Sequence, residues 1–187
     1  MTDRAIIRVS GQDPAGFLQG LVSNDTRLLA KTGIVYAALL TPQGKYLADF
    51  FLVAAGEDVL VDVAPPLADD LFKRLGMYKL RAPVALSREE MAVSRGTGPA
   101  PTGALVDPRH PALGWRLYGE SLPDTGVDWD ALRVAHCVPE SGIELVPNDR
   151  FILEFGFERL NGVDFRKGCY VGQEVTARMH HKTELRK

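Results

Sequence analysis

The chain has 187 residues, 45% hydrophobic and 25% charged, with a formal net charge of −2. This is a globular composition that suits one large domain or two small ones and excludes a polycation that would condense on nucleic acid. Two cysteines, Cys137 and Cys169, are too few for a four-cysteine metal or cluster site and do not suggest a disulfide scaffold. No apolar run approaches the roughly 20 residues that span a bilayer, and Met1-Thr2-Asp3-Arg4 has no apolar signal core. A cytoplasmic, reducing compartment without membrane contact is therefore expected.

Ala5 to Val9 reads as a first strand. Asp13 then offers an N-cap and Pro14 the first helical position, and Phe17, Leu18, Leu21 and Val22 recur at helical spacing through Val22. Gly33 opens a strand over Ile34 to Leu40, and Thr41-Pro42-Gln43-Gly44 has the proline and glycine of a tight turn. A return strand from Tyr46 to Ala54 completes a hairpin, and Val59 to Val63 forms a third strand after Gly56-Glu57-Asp58. Past Pro65 and Pro66, a helix over Leu67 to Met77 aligns Leu67, Leu71 and Leu75 on one face.

Short strands are expected at Val84 to Leu86, Met91 to Ser94 and Leu113 to Tyr118, with a flexible loop over Gly96 to Gly103 between the last two. Asp128 to His136 reads as a helix whose acidic first turn suits the dipole. Phe151 to Leu160 reads as a further helix, ended by Asn161-Gly162 in a left-handed cap. The order points to an α+β fold with mainly antiparallel sheet. Two intertwined lobes are expected, over residues 1–98 and 99–187, and Thr183 to Lys187 reads as the entrance to another element.

The chemistry concentrates in Lys167-Gly168-Cys169-Tyr170-Val171-Gly172-Gln173-Glu174, continuing to Arg178. Gly168 and Gly172 permit close backbone approach to a ligand. Gln173 both donates and accepts, and Glu174 accepts twice, a combination suited to the edge of an aminopyrimidine ring. Lys167 and Arg178 suit ligand carboxylates. Cys169 lies beside Arg166 and Lys167, and neighbouring cations favour a thiolate. From Arg166 to Lys187 the net charge is +4, against −6 for residues 1–165, so this end is fitted to attract an anion.

Other constellations carry less. His180-His181-Lys182 has no third metal ligand and reads as a solvated tail. Cys137 is expected in the core, Trp115 and Trp129 as packing anchors, and Asp107-Pro108-Arg109-His110 as a turn. No nucleotide-binding glycine loop is present.

The octet from Lys167 to Glu174 resembles the signature of the YgfZ-type folate-binding family, relatives of the glycine-cleavage T-protein (aminomethyltransferase) that include the mitochondrial IBA57 group. Phe17 to Asp25, Ala37 to Lys45 and Arg133 to Glu140 resemble family segments in the same order, although glycine is more usual at the place of Cys137. The resemblance implies lobes arranged around a tetrahydrofolate site and an accessory role in assembly or repair of iron–sulfur enzymes. Folate and the iron–sulfur machinery or its client enzymes are then the partners.

Cys169 would be the functional thiol. Lys167, Gly168, Tyr170, Gly172, Gln173, Glu174 and Arg178 would line the folate site, with Asn24, Asp25 and Glu154 on the opposite wall. The alternative is a folate-dependent aminomethyltransferase with Asp49 as its acid/base group. T-proteins usually carry two acidic residues where this chain has Ala48-Asp49, which weighs against that reading. Family members also usually continue into a C-terminal β-barrel, expected to be absent here. A third reading, assistance to tRNA modification, is disfavoured by the acidity of residues 1–165.

Overall fold

The computed structural model describes residues 4–182. The strands and helices are β1 (Ala5–Gly11), α1 (Pro14–Gln19), α2 (Leu29–Thr32), β2 (Ile34–Leu40), β3 (Tyr46–Ala55), β4 (Asp58–Val63), α3 (Pro65–Lys79), β5 (Val84–Glu89), β6 (Val93–Gly96), β7 (Leu105–Val106), β8 (Trp115–Tyr118), α4 (Trp129–Ala135) and α5 (Gln173–Lys182). A five-stranded sheet runs β2-β3-β4-β1-β5 and a three-stranded sheet runs β6-β8-β7, with every pairing antiparallel. This is the expected α+β architecture, and among the described residues neither sheet closes into a barrel.

Both faces of the larger sheet are buried, which is why β2 is apolar at every position. Alternation sends Val35, Ala37, Phe50, Leu52, Val59 and Val61 toward α1 and α3, where Leu18, Leu71 and Leu75 meet them. It sends Tyr36, Phe51, Val53 and Leu60 to the other face, against Val93, Leu113, Leu145, Ile152 and Phe157. The sheet is therefore a central layer, with helices on one side and the smaller sheet plus the C-terminal segment on the other.

Local signals behave as their chemistry dictates. Asp13 accepts from Gly16 N at 2.8 Å and caps α1. Gly44 closes the β2–β3 turn with φ +80°, and Asn161 takes the left-handed φ of +52°. The differences are also local. The helix expected over 151–160 is only a 3₁₀ turn, Ile152–Phe155, because Gly156 turns left-handed (φ +72°) and stops it. The loop expected over Gly96 to Gly103 follows β6, and the strand missed is β7 just beyond it, paired with β8. His180, His181 and Lys182, expected as a tail, belong to the end of α5, while Thr183 to Lys187 lie outside the described residues. Cys137 is exposed rather than in the core.

The two sheets are joined by buried charge. Asp62 on β4 accepts from Arg4 Nε at 2.5 Å, from Arg116 Nη2 on β8 at 3.0 Å and from the Tyr118 hydroxyl at 2.7 Å. Arg116 also faces Asp107 at 3.6 Å, and Asp107 is held by Arg109 Nε and Nη2 at 3.0 and 2.9 Å. Burial alone would raise Asp62 and Asp107, but the adjoining guanidiniums outweigh it and hold both carboxyls below the usual range. Asp107 to Arg109 is thus an interior ion pair rather than a simple turn.

Removing one member of such a network strands the others in the interior. Asp62→Ala is expected to cost about 3–5 kcal/mol in urea unfolding. A loss below about 1 kcal/mol would show that the charge network does not join the sheets.

Candidate functional site

The signature segment is docked by its lysine. Lys167 is 2% exposed, and its ammonium donates to Gln19 O at 2.5 Å, a carbonyl left over at the end of α1, and to Val22 O at 2.6 Å, three residues beyond it. Its Nζ also lies 4.8 Å from the centre of the Tyr170 ring. Burial lowers this amine to about 8, against the attraction of Asp25 and Asp164. Lys167 therefore faces inward, committed to backbone rather than offered to ligand carboxylates.

Gly172 is the second anchor. It has φ +83°, and a Cβ there would stand 2.5 Å from Thr41 O and 3.0 Å from Gly44 Cα, so the β2–β3 turn leaves no room for a side chain. Gly168 is exposed, and a Cβ there would meet no described atom within 4 Å. Tyr170 is buried at 9% exposure. Gln173 accepts from Tyr170 N at 3.0 Å and so closes the first turn of α5 in the manner of a capping box. Glu174 and Arg178 are exposed on α5. Cys169 is an exposed free thiol between the two anchors. His180 lies on α5, stacked on Phe165 at 3.8 Å and paired with Glu158 at 3.6 Å; it is not in a solvated tail.

The residues expected on an opposite wall are structural in their contacts. Asn24 donates to Tyr36 O at 2.8 Å and Asn161 O at 2.6 Å. Asp25 accepts from Arg27, whose guanidinium holds its carboxyl down at about 2. Glu154 accepts from Phe151 N at 3.0 Å and caps the 3₁₀ turn. None of these three lines either of the two cavities beside Arg95.

A cavity of about 460 Å³ opens instead between the two sheets, with Asp49, Phe51, Arg95, Arg116, Trp129 and Ser141 among its walls. Of the residues the sequence singled out as a site, Asp49 is the one that lines it. Its Oδ1 accepts from the Tyr46 hydroxyl and the Ser141 hydroxyl, both at 2.6 Å, and its Oδ2 from the Tyr36 hydroxyl at 2.9 Å. Burial pushes both phenols well up, so they remain protonated donors. Three hydroxyls fix the carboxylate and leave part of its roughly four acceptor positions for a ligand.

The rest of the wall is cationic and aromatic. Guanidinium carbons of Arg116, Arg109 and Arg4 lie 4.0, 4.8 and 5.9 Å from the centre of the Phe51 ring. Arg95 lies 4.0 Å from that of Trp129, so this tryptophan supports a cation rather than serving as a packing anchor alone. The available sequence signals were the lone charges within apolar strands, Asp62 between Val61 and Val63 and Arg116 between Trp115 and Leu117. Chemically the cavity offers one fixed acceptor, aromatic walls and several planar cations, a set suited to a polar ring bearing an anionic extension.

No family model matches the chain. It is 34% identical over 98% of its length to the mitochondrial iron–sulfur cluster assembly factor IBA57 homolog of Mycosarcoma maydis, covering 54% of that protein. It is 33% identical over 98% of its length to mitochondrial IBA57 of Mus musculus, covering 62%. The corresponding Aspergillus clavatus protein is 33% identical over the whole chain, with 54% of it covered. The chain thus spans little more than half the length of these relatives. An aminomethyltransferase T structure from Bartonella henselae shows a partial likeness, at a TM-score of 0.45 and 21% identity over 48% of this chain and 25% of that one.

The cytoplasmic expectation is overturned by the relatives, which are named mitochondrial. Two free thiols are as compatible with a mitochondrial location as with a cytoplasmic one.

Lys167→Ala leaves two carbonyls without their donor and is expected to cost about 2–4 kcal/mol, whereas Cys169→Ser stays within about 0.5 kcal/mol. Urea midpoints of the two variants check this. A sharp loss on Cys169→Ser would mean the thiol is packed in the core.

Proposed function

The chain belongs to the family of the IBA57 iron–sulfur cluster assembly factors, and from that premise we propose that it is a tetrahydrofolate-binding accessory protein for assembly or repair of iron–sulfur clusters in client enzymes, in the mitochondrial setting named for its relatives. The observation that carries the folate part is Asp49, held by three hydroxyl donors at the wall of a cavity of about 460 Å³. That volume lies in the range of small-molecule sites. The residues fit the ligand: Asp49 accepts ring N–H groups, Phe51 and Trp129 supply aromatic walls, and arginines suit a glutamyl carboxylate. Asp49 and Phe51 come from the proposed lobe 1–98, and Arg116 and Trp129 from the proposed lobe 99–187.

Bound tetrahydrofolate supplies a one-carbon carrier, and the chain's own residues orient it. The aminomethyltransferase reading ranks second, because it needs a group that exchanges protons with Asp49. The hydroxyl partners of Asp49 are two phenols raised by burial and one serine, which are poor proton donors. Cys169 is the proposed functional thiol, exposed where a protein partner can reach it. The signature segment contributes by fixing that thiol, with Lys167 and Gly172 as its anchors.

Calorimetric titration with tetrahydrofolate is expected to give a complex that Asp49→Asn weakens at least tenfold, while Glu174→Ala leaves it unchanged. Ser141→Ala, which removes one hydroxyl donor and keeps the carboxylate, is expected to fall between. Weakening by Glu174→Ala alone would move the ligand to α5, and no binding to the folded chain would remove folate from the reading.

A further inference from the structure

The cavity holds four guanidiniums, those of Arg4, Arg95, Arg109 and Arg116. Three of them are paired. Arg4 and Arg116 share Asp62, which also accepts from Tyr118, and Arg109 is bound to Asp107 through its backbone N, Nε and Nη2. Both carboxylates are thus already committed to these other guanidiniums. Arg95, on β6, takes part in no ion pair among the described residues, and its Nε is buried without a hydrogen-bond partner. Glu140 also lines the cavity and attracts Arg95 from beyond ion-pair distance. Burial and the like charge of Arg116 bring Arg95 down to about 10, so its charge is held here at a cost.

What fixes Arg95 is Trp129, 4.0 Å from ring centre to guanidinium carbon. Stacking on an indole face uses none of the in-plane N–H groups, and with Nε buried it is the Nη edge that can meet the two oxygens of a carboxylate or phosphate. Beneath it lies a recess of about 140 Å³ that shares Arg95, Arg109, Trp129 and Glu140 with the main cavity and adds Arg133. A further oxyanion would therefore sit between two walls and meet a cation that no protein carboxylate has neutralised.

We infer that the Arg95–Trp129 corner is an oxyanion subsite, which takes a carboxylate or phosphate on the end of the ligand remote from Asp49. This rests on the cavity reading above and extends it, because it requires the ligand to be anionic at one end. An uncompensated interior cation lowers stability in the empty state, so Arg95→Gln is expected to raise Tm by about 2–4 °C. The same change is expected to lower affinity for the anionic ligand.

The test uses the full chain with pteroylglutamate, pteroate, inorganic phosphate and glutarate as probes, on wild type, Arg95→Gln and Arg95→Lys. Calorimetry is expected to show pteroylglutamate bound at least tenfold more tightly than pteroate. Arg95→Gln abolishes that ratio and leaves pteroate affinity unchanged, and Arg95→Lys, which keeps the charge without the fork, is intermediate. A ratio that survives Arg95→Gln, or a Tm that falls on substitution, overturns the subsite and makes Arg95 structural.

If neither pteroate nor pteroylglutamate binds, the folate reading fails on its own. The subsite is then read from the Arg95 Nε–H resonance during titration with phosphate and glutarate. A saturable shift with both supports a carboxylate-bearing or phosphorylated ligand, a shift with phosphate alone assigns the phosphorylated one, and no shift with either overturns the subsite.

Discussion

Asp62 is the residue on which the arrangement of the two sheets depends. It sits one residue from the end of β4, fully buried, and draws Arg4 and, from β8, Arg116 onto one carboxylate. A buried carboxylate is tolerable only when its acceptor positions are filled by good donors. The two cations and the Tyr118 hydroxyl therefore fix where the smaller sheet lies on the larger one. The cavity is a consequence of that fit. Guanidiniums directed at Asp62 and Asp107 cross the Phe51 ring and leave a polar gap beside them where a continuous apolar core would otherwise close.

The opposite edge of the assembly uses the same principle with a single charge. Lys167 inserts its ammonium between the last carbonyl of α1 and that of Val22 just beyond it, and Gly172 lets the β2–β3 turn approach the start of α5 without a side chain between them. Between these anchors Cys169 is left exposed. The signature residues thus divide by physical role. The lysine and the second glycine build the loop, the glutamine caps a helix, and the cysteine is left as an exposed free thiol.

The parts of this fold that were legible in the sequence are those set by neighbours in the chain. Asp13 caps the residue three positions on, Gly44 closes its own turn, and the strand read at 46–54 declares itself by an apolar run interrupted by Asp49 alone. The parts that were not legible depend on partners far away. Arg116 reaches Asp62 across 54 positions, and Lys167 reaches Gln19 across 148, so neither local pattern nor propensity distinguishes them from solvated cations. Helix α5 was hidden for another reason: its polar face carries histidines and its start follows a glycine pair, which reads as loop until Gln173 is seen capping Tyr170. Asp49 was singled out by resemblance, while its hydroxyl clamp became visible only once β2 and β3 were paired, placing Tyr36 and Tyr46 beside it.

The thiol and the cavity are separate places, and β3 with its turn touches both. Gly44 at the head of the hairpin packs against Gly172 and Val175, and a few residues further along the same strand Asp49 and Phe51 line the cavity wall. A ligand that draws on Asp49 pulls on a strand whose turn is wedged against the loop presenting Cys169. Rigid, contiguous packing of this kind is the physical condition for one site to bias the other. The Lys45–Phe151 bridge beside that turn ties in the segment that leads to the signature. Whatever occupied the cavity would therefore be one hairpin away from the loop that presents Cys169, without sharing a pocket with that thiol.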